Sequence, residues 1–283
     1  MRNPKREHKE GAIQYLLKLK IELLFASDHA SWDSEWEGDL PICRINNMKI
    51  PSEIAISLSH PAVVGTVHSA ASLAAAGRIR KQQCDWLELR LDNFYPNVGP
   101  LRRLAPKLRC PRIVTVRHAS EGGMAQAITA RERRALYGNF LEVAGLVDIE
   151  LRWSGPMKEV IRQAKDAGTG VILSHHDFQR TPRPQRLRDL ARRARDAGAD
   201  IFKVAAMTRS ERDLAMLIEF LADEKGKLPL AVMGMGTYGK ISRLVLAQAG
   251  SCLNYGFLGS PNATGQWPVA VLKARIAELR DAG

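Results

Sequence analysis

From Ala62 onward, short β-branched apolar runs alternate with longer amphipathic stretches. The strand-like runs are Ala62–Val67, Trp86–Leu91, Arg112–His118, Leu146–Leu151, Gly170–Ser174, Ile201–Met207, Leu228–Met233 and Ser251–Leu258. Between them, helix-like segments span Ser69–Gln83, Val98–Leu108, Thr129–Val143, Met157–Ala167, Gln185–Ala197, Glu211–Asp223 and Lys240–Gln248, and Pro268–Leu279 closes the series. Asp-Ala-Gly ends two of these helices, at 166–168 and 196–198, with glycine where a left-handed cap belongs. Strand followed by helix, repeated eight times in about 220 residues, predicts an α/β fold: a single (β/α)8 TIM barrel preceded by an N-terminal extension. The competing doubly wound sheet usually has a glycine-rich phosphate loop after its first strand, and V-G-T-V-H-S (64–69) is not one.

In such a barrel the reacting side chains come from the C-terminal ends of the strands. The stretch Val171–Pro182, V-I-L-S-H-H-D-F-Q-R-T-P, is apolar until Ser174. It then presents His175, His176 and Asp177 before Thr181-Pro182 stops the element. The next run, I-F-K-V-A-A-M (201–207), places Lys203 in an apolar segment. A lysine there lies either at a sheet edge or buried with its pKa lowered, the state an imine-forming lysine needs. The remaining strand ends add Thr66; Glu88, Arg90 and Asp92; Arg117 and Glu121; Asp148 and Glu150; Arg243; and Gln266. In L-E-L-R-L-D (87–92) the strand period puts all three charges on one face, which must be paired or line a cavity.

The first 47 residues stand outside the pattern. They hold an amphipathic stretch at 12–26, broken by Lys18, Lys20 and Glu22, and the acidic S-W-D-S-E-W-E-G-D (31–39). We expect 1–47 to be a poorly ordered extension, or a reading begun upstream of a natural start at Met48, and 48–283 to be the catalytic barrel. The net charge is +12, and residues 61–283 carry 34 Lys/Arg against 21 Asp/Glu. The excess gathers in Arg131–Arg134 and Arg183–Arg195, which read as solvated outer faces of helices. With only 6% aromatics and no binding motif, a solvated basic surface outweighs a nucleic-acid footprint as the reading of this charge. Cys43, Cys84, Cys110 and Cys252 are scattered and read as reduced packing residues of a cytoplasmic protein. No apolar run approaches the ~18 residues of a membrane span. Metal binding is not indicated, since ligand-spaced clusters are absent and the adjacent His175 and His176 point to opposite faces.

Taken singly, each group has an ordinary explanation. A lone strand histidine is usually a hydrogen-bonded core residue, and a lone lysine an edge charge. M-G-M-G-T-Y-G-K (233–240) is a weak phosphate-loop lookalike. Convergence at one end of one barrel suggests a joint chemistry. An amine condenses with a ketone to an iminium that acidifies the neighbouring C–H, a near-neutral histidine moves the proton, and arginines clamp a carboxylate. That set performs an elimination of water from a hydroxy-keto acid, or a retro-aldol cleavage.

The chain from about Pro61 onward resembles type I 3-dehydroquinate dehydratase. The resemblance is carried by E-L-R-L-D (88–92), V-R-H-A-S-E-G-G (116–123), D-I-E (148–150), S-H-H-D-F-Q-R-T-P (174–182), F-K-V-A-A-M (202–207), M-G-T-Y-G-K-I-S-R (235–243) and G-Q (265–266). It implies that Lys203 forms an imine with the C3 ketone of 3-dehydroquinate, and that His176 takes the C2 proton and protonates the departing C1 hydroxyl. Glu121 would orient that histidine. Thr66, Glu88, Arg90, Arg117, Arg243, Asn262 and Gln266 would bind substrate, Arg243 chiefly its carboxylate. No cofactor or metal is implied, and a homodimer is. Five positions depart from the family's usual residues: Asn262 stands for serine, Thr66 near an expected serine with the hydroxyl kept, Thr264 and Thr208 for proline, and Gly234 for serine. His175 is an added titratable neighbour of the proposed base. The alternatives are another lysine–imine barrel lyase such as a class I aldolase, a basic nucleic-acid-binding protein, and a catalytically silent barrel in a larger assembly.

Overall fold

A computed structural model describes residues 60–124 and 128–281; the expected extension at 1–47, with Cys43, lies outside them. Eight strands, β1 (Ala62–Val67), β2 (Trp86–Arg90), β3 (Arg112–Thr115), β4 (Leu146–Glu150), β5 (Gly170–Asp177), β6 (Ile201–Met207), β7 (Leu230–Met235) and β8 (Leu253–Phe257), form one sheet in the order β7-β6-β5-β4-β3-β2-β1-β8. Every recorded pairing is parallel, and β8 pairs with β1 with Tyr255 opposite Val64. Across the remaining seam the Cys252 N–H donates to the Leu230 carbonyl at 2.8 Å. The sheet therefore curls into a nearly closed barrel.

The outer layer is α1 (Ala70–Arg78), α2 (Gly99–Leu104), α3 (Ala130–Phe140), α4 (Lys158–Asp166), α5 (Pro184–Asp196), α6 (Glu211–Glu224), α7 (Gly239–Ala249) and α8 (Val269–Asp281). Reciprocal capping boxes start three of them, Ser69 with Ser72, Thr129 with Glu132 and Ser210 with Asp213. Gly168 and Gly198 follow α4 and α5 with φ of 72° and 85°, the left-handed cap that the Asp-Ala-Gly repeats predict. Among the described residues, no helix is long and apolar enough to cross a membrane.

Alternation along the strands divides the barrel interior into layers. Val64, Trp86, Ile113, Leu146, Ile172, Ile201, Ala231 and Leu253 belong to one buried apolar cluster that fills the N-terminal part of the lumen. Two residues further along, the same inward faces carry Thr66, Glu88, Thr115, Asp148, Ser174 and Lys203, all buried. An apolar floor under a polar layer is why the strands read as apolar runs that turn polar only at their ends.

Three differences from the expected elements have local causes. β3 stops at Thr115, not His118, because the Val116 N–H and carbonyl are taken by the side chains of Tyr137 and Arg133. β5 continues past Ser174 to Asp177, with His176 and Asp177 still paired to Ala205 and Ala206. Arg133 is fully buried, so the Arg131–Arg134 run is not wholly a solvated face. On β7, Gly234 has the Thr208 hydroxyl 2.7 Å and the Ser242 hydroxyl 2.8 Å from where a Cβ would stand. Two of the departures from the family pattern thus touch one another.

Candidate active site

Lys203 is inside the barrel, 3% exposed and flanked by β5 and β7, so it is not an edge charge. Its Nζ donates to Asp148 Oδ2 at 2.7 Å and to Glu88 Oε1 at 3.4 Å. Arg117 donates to the same Asp148 oxygen at 2.8 Å, to Ser174 Oγ at 2.7 Å and to Glu150 Oε1 at 3.3 Å. Arg133, reaching in from α3, binds the other Glu150 oxygen at 2.5 Å. Three cations thus face three carboxylates, all buried, an arrangement that costs less than leaving any one unpaired. Burial pushes the Asp148 carboxyl up, but Arg117 and Lys203 outweigh it and hold it well below the usual carboxylate range.

His176 sits one layer above Lys203. Ser174 is opposite Lys203 in the β5–β6 register, and His176 lies two residues on, so imidazole and amine project into the same lumen. Glu121 Oε2 accepts from the His176 backbone N–H at 3.0 Å and meets His176 Nδ1 at 3.0 Å. Burial, helped by Arg117 and Lys203, holds the imidazole well below its ordinary range; Asp148 opposes this more weakly. Burial also pushes Glu121 up to about 7, against the pull of Arg117. Glu121 gets there by a tight fold of the β3 loop: a Cβ on Gly123 would lie 2.1 Å from the Arg117 carbonyl oxygen, so only glycine fits.

The remaining predicted residues form two groups. On one side, Arg90 is held bidentately by Asp92 at 3.0 and 2.7 Å and also reaches the Gly122 carbonyl at 3.2 Å. Asp92 lies in a 3₁₀ turn (Leu91–Asn93) after the strand, not on the strand face with Glu88 and Arg90, and accepts the Arg117 backbone N–H at 3.1 Å. Thr66 is buried opposite Glu88. On the other side, Arg243 donates to the carbonyls of Tyr255, Gly234, Gly239 and Gly265 at 2.8, 2.9, 2.6 and 2.8 Å. Burial with no charge offsetting it pushes this guanidinium down to about 10. The Gln266 Oε1 accepts the Asn262 backbone N–H at 3.1 Å, while the Asn262 side chain is exposed.

Tyr255 joins the groups: its carbonyl holds Arg243 Nε, and its ring lies 4.1 Å from Lys203 Nζ. Asp148 and Glu150 stand among the expected strand-end charges but carried no assigned role, and Tyr255 was not expected in the site at all. The D-I-E alternation carries a signal for the first two, and an aromatic in an apolar strand carries none. His175 is half-buried and acted on by Asp177, Arg186, Arg152 and Arg193; burial is the main cause that lowers its pKa. It therefore protonates below the ordinary histidine range.

The sequence profile described as type I 3-dehydroquinase matches residues 62–279. A 3-dehydroquinate dehydratase of Methanosarcina barkeri is 33% identical over 237 residues, covering 79% of this chain and 97% of that protein. The type I 3-dehydroquinate dehydratase of Clostridium difficile, solved with covalently modified comenic acid, superposes with a TM-score of 0.72 at 26% identity, covering 79% of this chain and 94% of that one. The Geobacillus kaustophilus 3-dehydroquinate dehydratase gives 0.70 at 27% identity over 78% and 92%. The chain belongs to the type I 3-dehydroquinase family, and with it to the hydro-lyases.

Proposed function

We propose that this chain eliminates water from 3-dehydroquinate to give 3-dehydroshikimate, through an imine on Lys203 with His176 as general acid and base. The observation that supports it most is the pairing of two preset groups in one lumen. Lys203 is tied to Asp148 and Glu88, and His176, one layer up on the adjacent strand, is tied to Glu121.

The lysine gives up a proton, its amine attacks the C3 ketone, and water leaves to form the iminium. That cation takes up electron density as the C2–H bond breaks. With Nδ1–H donated to an ionised Glu121, Nε2 of His176 is the lone pair that accepts the C2 proton. The same nitrogen returns the proton to the C1 hydroxyl as it departs. Water then hydrolyses the imine, so the net change is loss of one water.

The carboxylate of the substrate is assigned to Arg243, which brings a buried positive charge that no neighbouring charge offsets. Gln266 and Asn262 lie beside it on the loop whose Gly265 carbonyl Arg243 holds. Thr66, Glu88, Arg90 and Arg117 face the ring hydroxyls, the two arginines as donors already oriented by carboxylates. A homodimer belongs to the same proposal and is checked by light scattering.

The test is incubation of the protein with 3-dehydroquinate and sodium borohydride, followed by peptide mass spectrometry. A substrate-derived adduct on Lys203, absent in Lys203→Ala, is the expected result. Product formed with no adduct would sink the imine assignment.

A further inference from the structure

We propose that Tyr255 is a positioning residue for Lys203. Its ring holds the nitrogen as a cation, and its hydroxyl becomes the donor to Glu88 once the lysine is an imine. The inference rests on the imine reading above.

Tyr255 is 3% exposed and belongs to the apolar cluster of the lumen. Its ring face lies 4.1 Å from Lys203 Nζ, where a desolvated π-system favours positive charge. Its hydroxyl is buried and has no hydrogen-bond partner among the described residues. An orphaned phenol in a polar layer is unusual, because a buried tyrosine normally has somewhere to donate.

Counting donors supplies the reason. The ammonium has three N–H bonds, and two go to Asp148 at 2.7 Å and Glu88 at 3.4 Å. Condensation converts an ammonium and a ketone into an iminium and a water, and the iminium nitrogen keeps one N–H. The shorter bond, to Asp148, is the one retained. Glu88 is left with the Thr115 hydroxyl at 3.1 Å, the Arg117 guanidinium no nearer than 3.9 Å, and one donor fewer, a costly state for a buried carboxylate. Glu88 and Asp148 are the carboxylates whose charge acts on the Tyr255 phenol. In the free protein the lysine already serves both, so the phenol has nothing to do. In the imine it has. The backbone bond from Arg243 to the Tyr255 carbonyl, 2.8 Å, fixes the strand while the hydroxyl turns.

The test compares wild type, Tyr255→Phe and Tyr255→Leu in steady-state kinetics, thermal midpoint and borohydride trapping at Lys203. Removing only the hydroxyl is expected to leave KM within about twofold and the free-protein midpoint unchanged, while kcat and the trapped fraction fall roughly tenfold. The leucine variant, lacking the ring as well, falls further in both. Wild-type kcat and trapping in Tyr255→Phe would overturn the proposal, as would a lowered midpoint with kcat intact, the mark of a purely structural role. If wild type itself forms product without a Lys203 adduct, the imine reading fails and the tyrosine proposal with it. An adduct in wild type with Tyr255→Phe unaffected removes the tyrosine proposal alone.

Discussion

Replacing Asp148 by asparagine preserves shape and deletes one charge where two cations converge. Lys203 at 2.7 Å and Arg117 at 2.8 Å share Asp148 Oδ2, and Ser174 donates to the other oxygen at 2.6 Å. An amide can keep the serine as donor, but it then turns its NH₂ toward the two cations. Hydrogen bonds to charged groups are worth about 1.5–3 kcal/mol each, and breaking a buried pair by removing one partner costs about 3–5 kcal/mol. The side chain is fully buried, so solvent screening offers little relief. For a domain of this size the loss corresponds to a midpoint lowered by on the order of 10 °C. Lys165→Ala is the control: its pair with Asp200 is as short, 2.6 Å, but the lysine side chain is 40% exposed, and the expected loss is below about 1 kcal/mol. Urea denaturation of both variants decides. The sign with pH also follows. The folded pKa of Asp148 lies below its unfolded value, so its stabilisation is present above the ordinary carboxylate range and fades as pH falls through the folded value. The asparagine variant should lack that acid-side loss. A destabilisation of Asp148→Asn no larger than that of Lys165→Ala would refute the reasoning.

Four further outcomes are expected. Glu121, pushed from 4.5 to about 7, must be ionised for His176 Nε2 to act as base, so kcat/KM should rise with pH through about 7, and Glu121→Gln should erase that limb. The same raised pKa costs the wild type stability as pH climbs through this window, so Glu121→Gln should gain stability relative to wild type at pH 8 in paired melts. Gly123→Ala sets a Cβ 2.1 Å from the Arg117 carbonyl; it should displace Glu121 and lower kcat at least tenfold, and wild-type turnover would show that the loop tolerates the shift. Arg243→Lys loses the planar fork that reaches four carbonyls and should raise KM about tenfold or more with a smaller change in kcat; the reverse split would remove the carboxylate from Arg243.

The fold was legible because each strand changes character at its end. β1 and β6 have the bounds that their apolar runs predict, and the glycine caps after α4 and α5 fix two helix ends. Strand alternation also tells which face a side chain takes, which is why Lys203, His176, Glu88 and Arg117 could be placed at one end. It does not tell which partner a charge finds. Asp148 as the nearest partner of Lys203 depends on register between β4, β5 and β6, which no local pattern encodes. Arg133 was the harder case. It lies in a basic helical run, and only the inward reach of α3 makes it a counter-ion for Glu150. Tyr255 is invisible in the sequence for the opposite reason, since its role comes from contact with a residue on another strand.

The close approach of Thr208 to Gly234 couples what either position can hold. With the Thr208 and Ser242 hydroxyls 2.7 and 2.8 Å from the missing Cβ, and both held by other hydrogen bonds, a serine at 234 has no room while threonine stands at 208. A lineage starting from the family's usual pair can reach this one by losing the serine first, leaving space that threonine then fills. The reverse order passes through a crowded intermediate. Grafting either residue alone onto a relative, or restoring either alone here, should therefore be worse than exchanging both, and sequence comparison should find the two positions changing together.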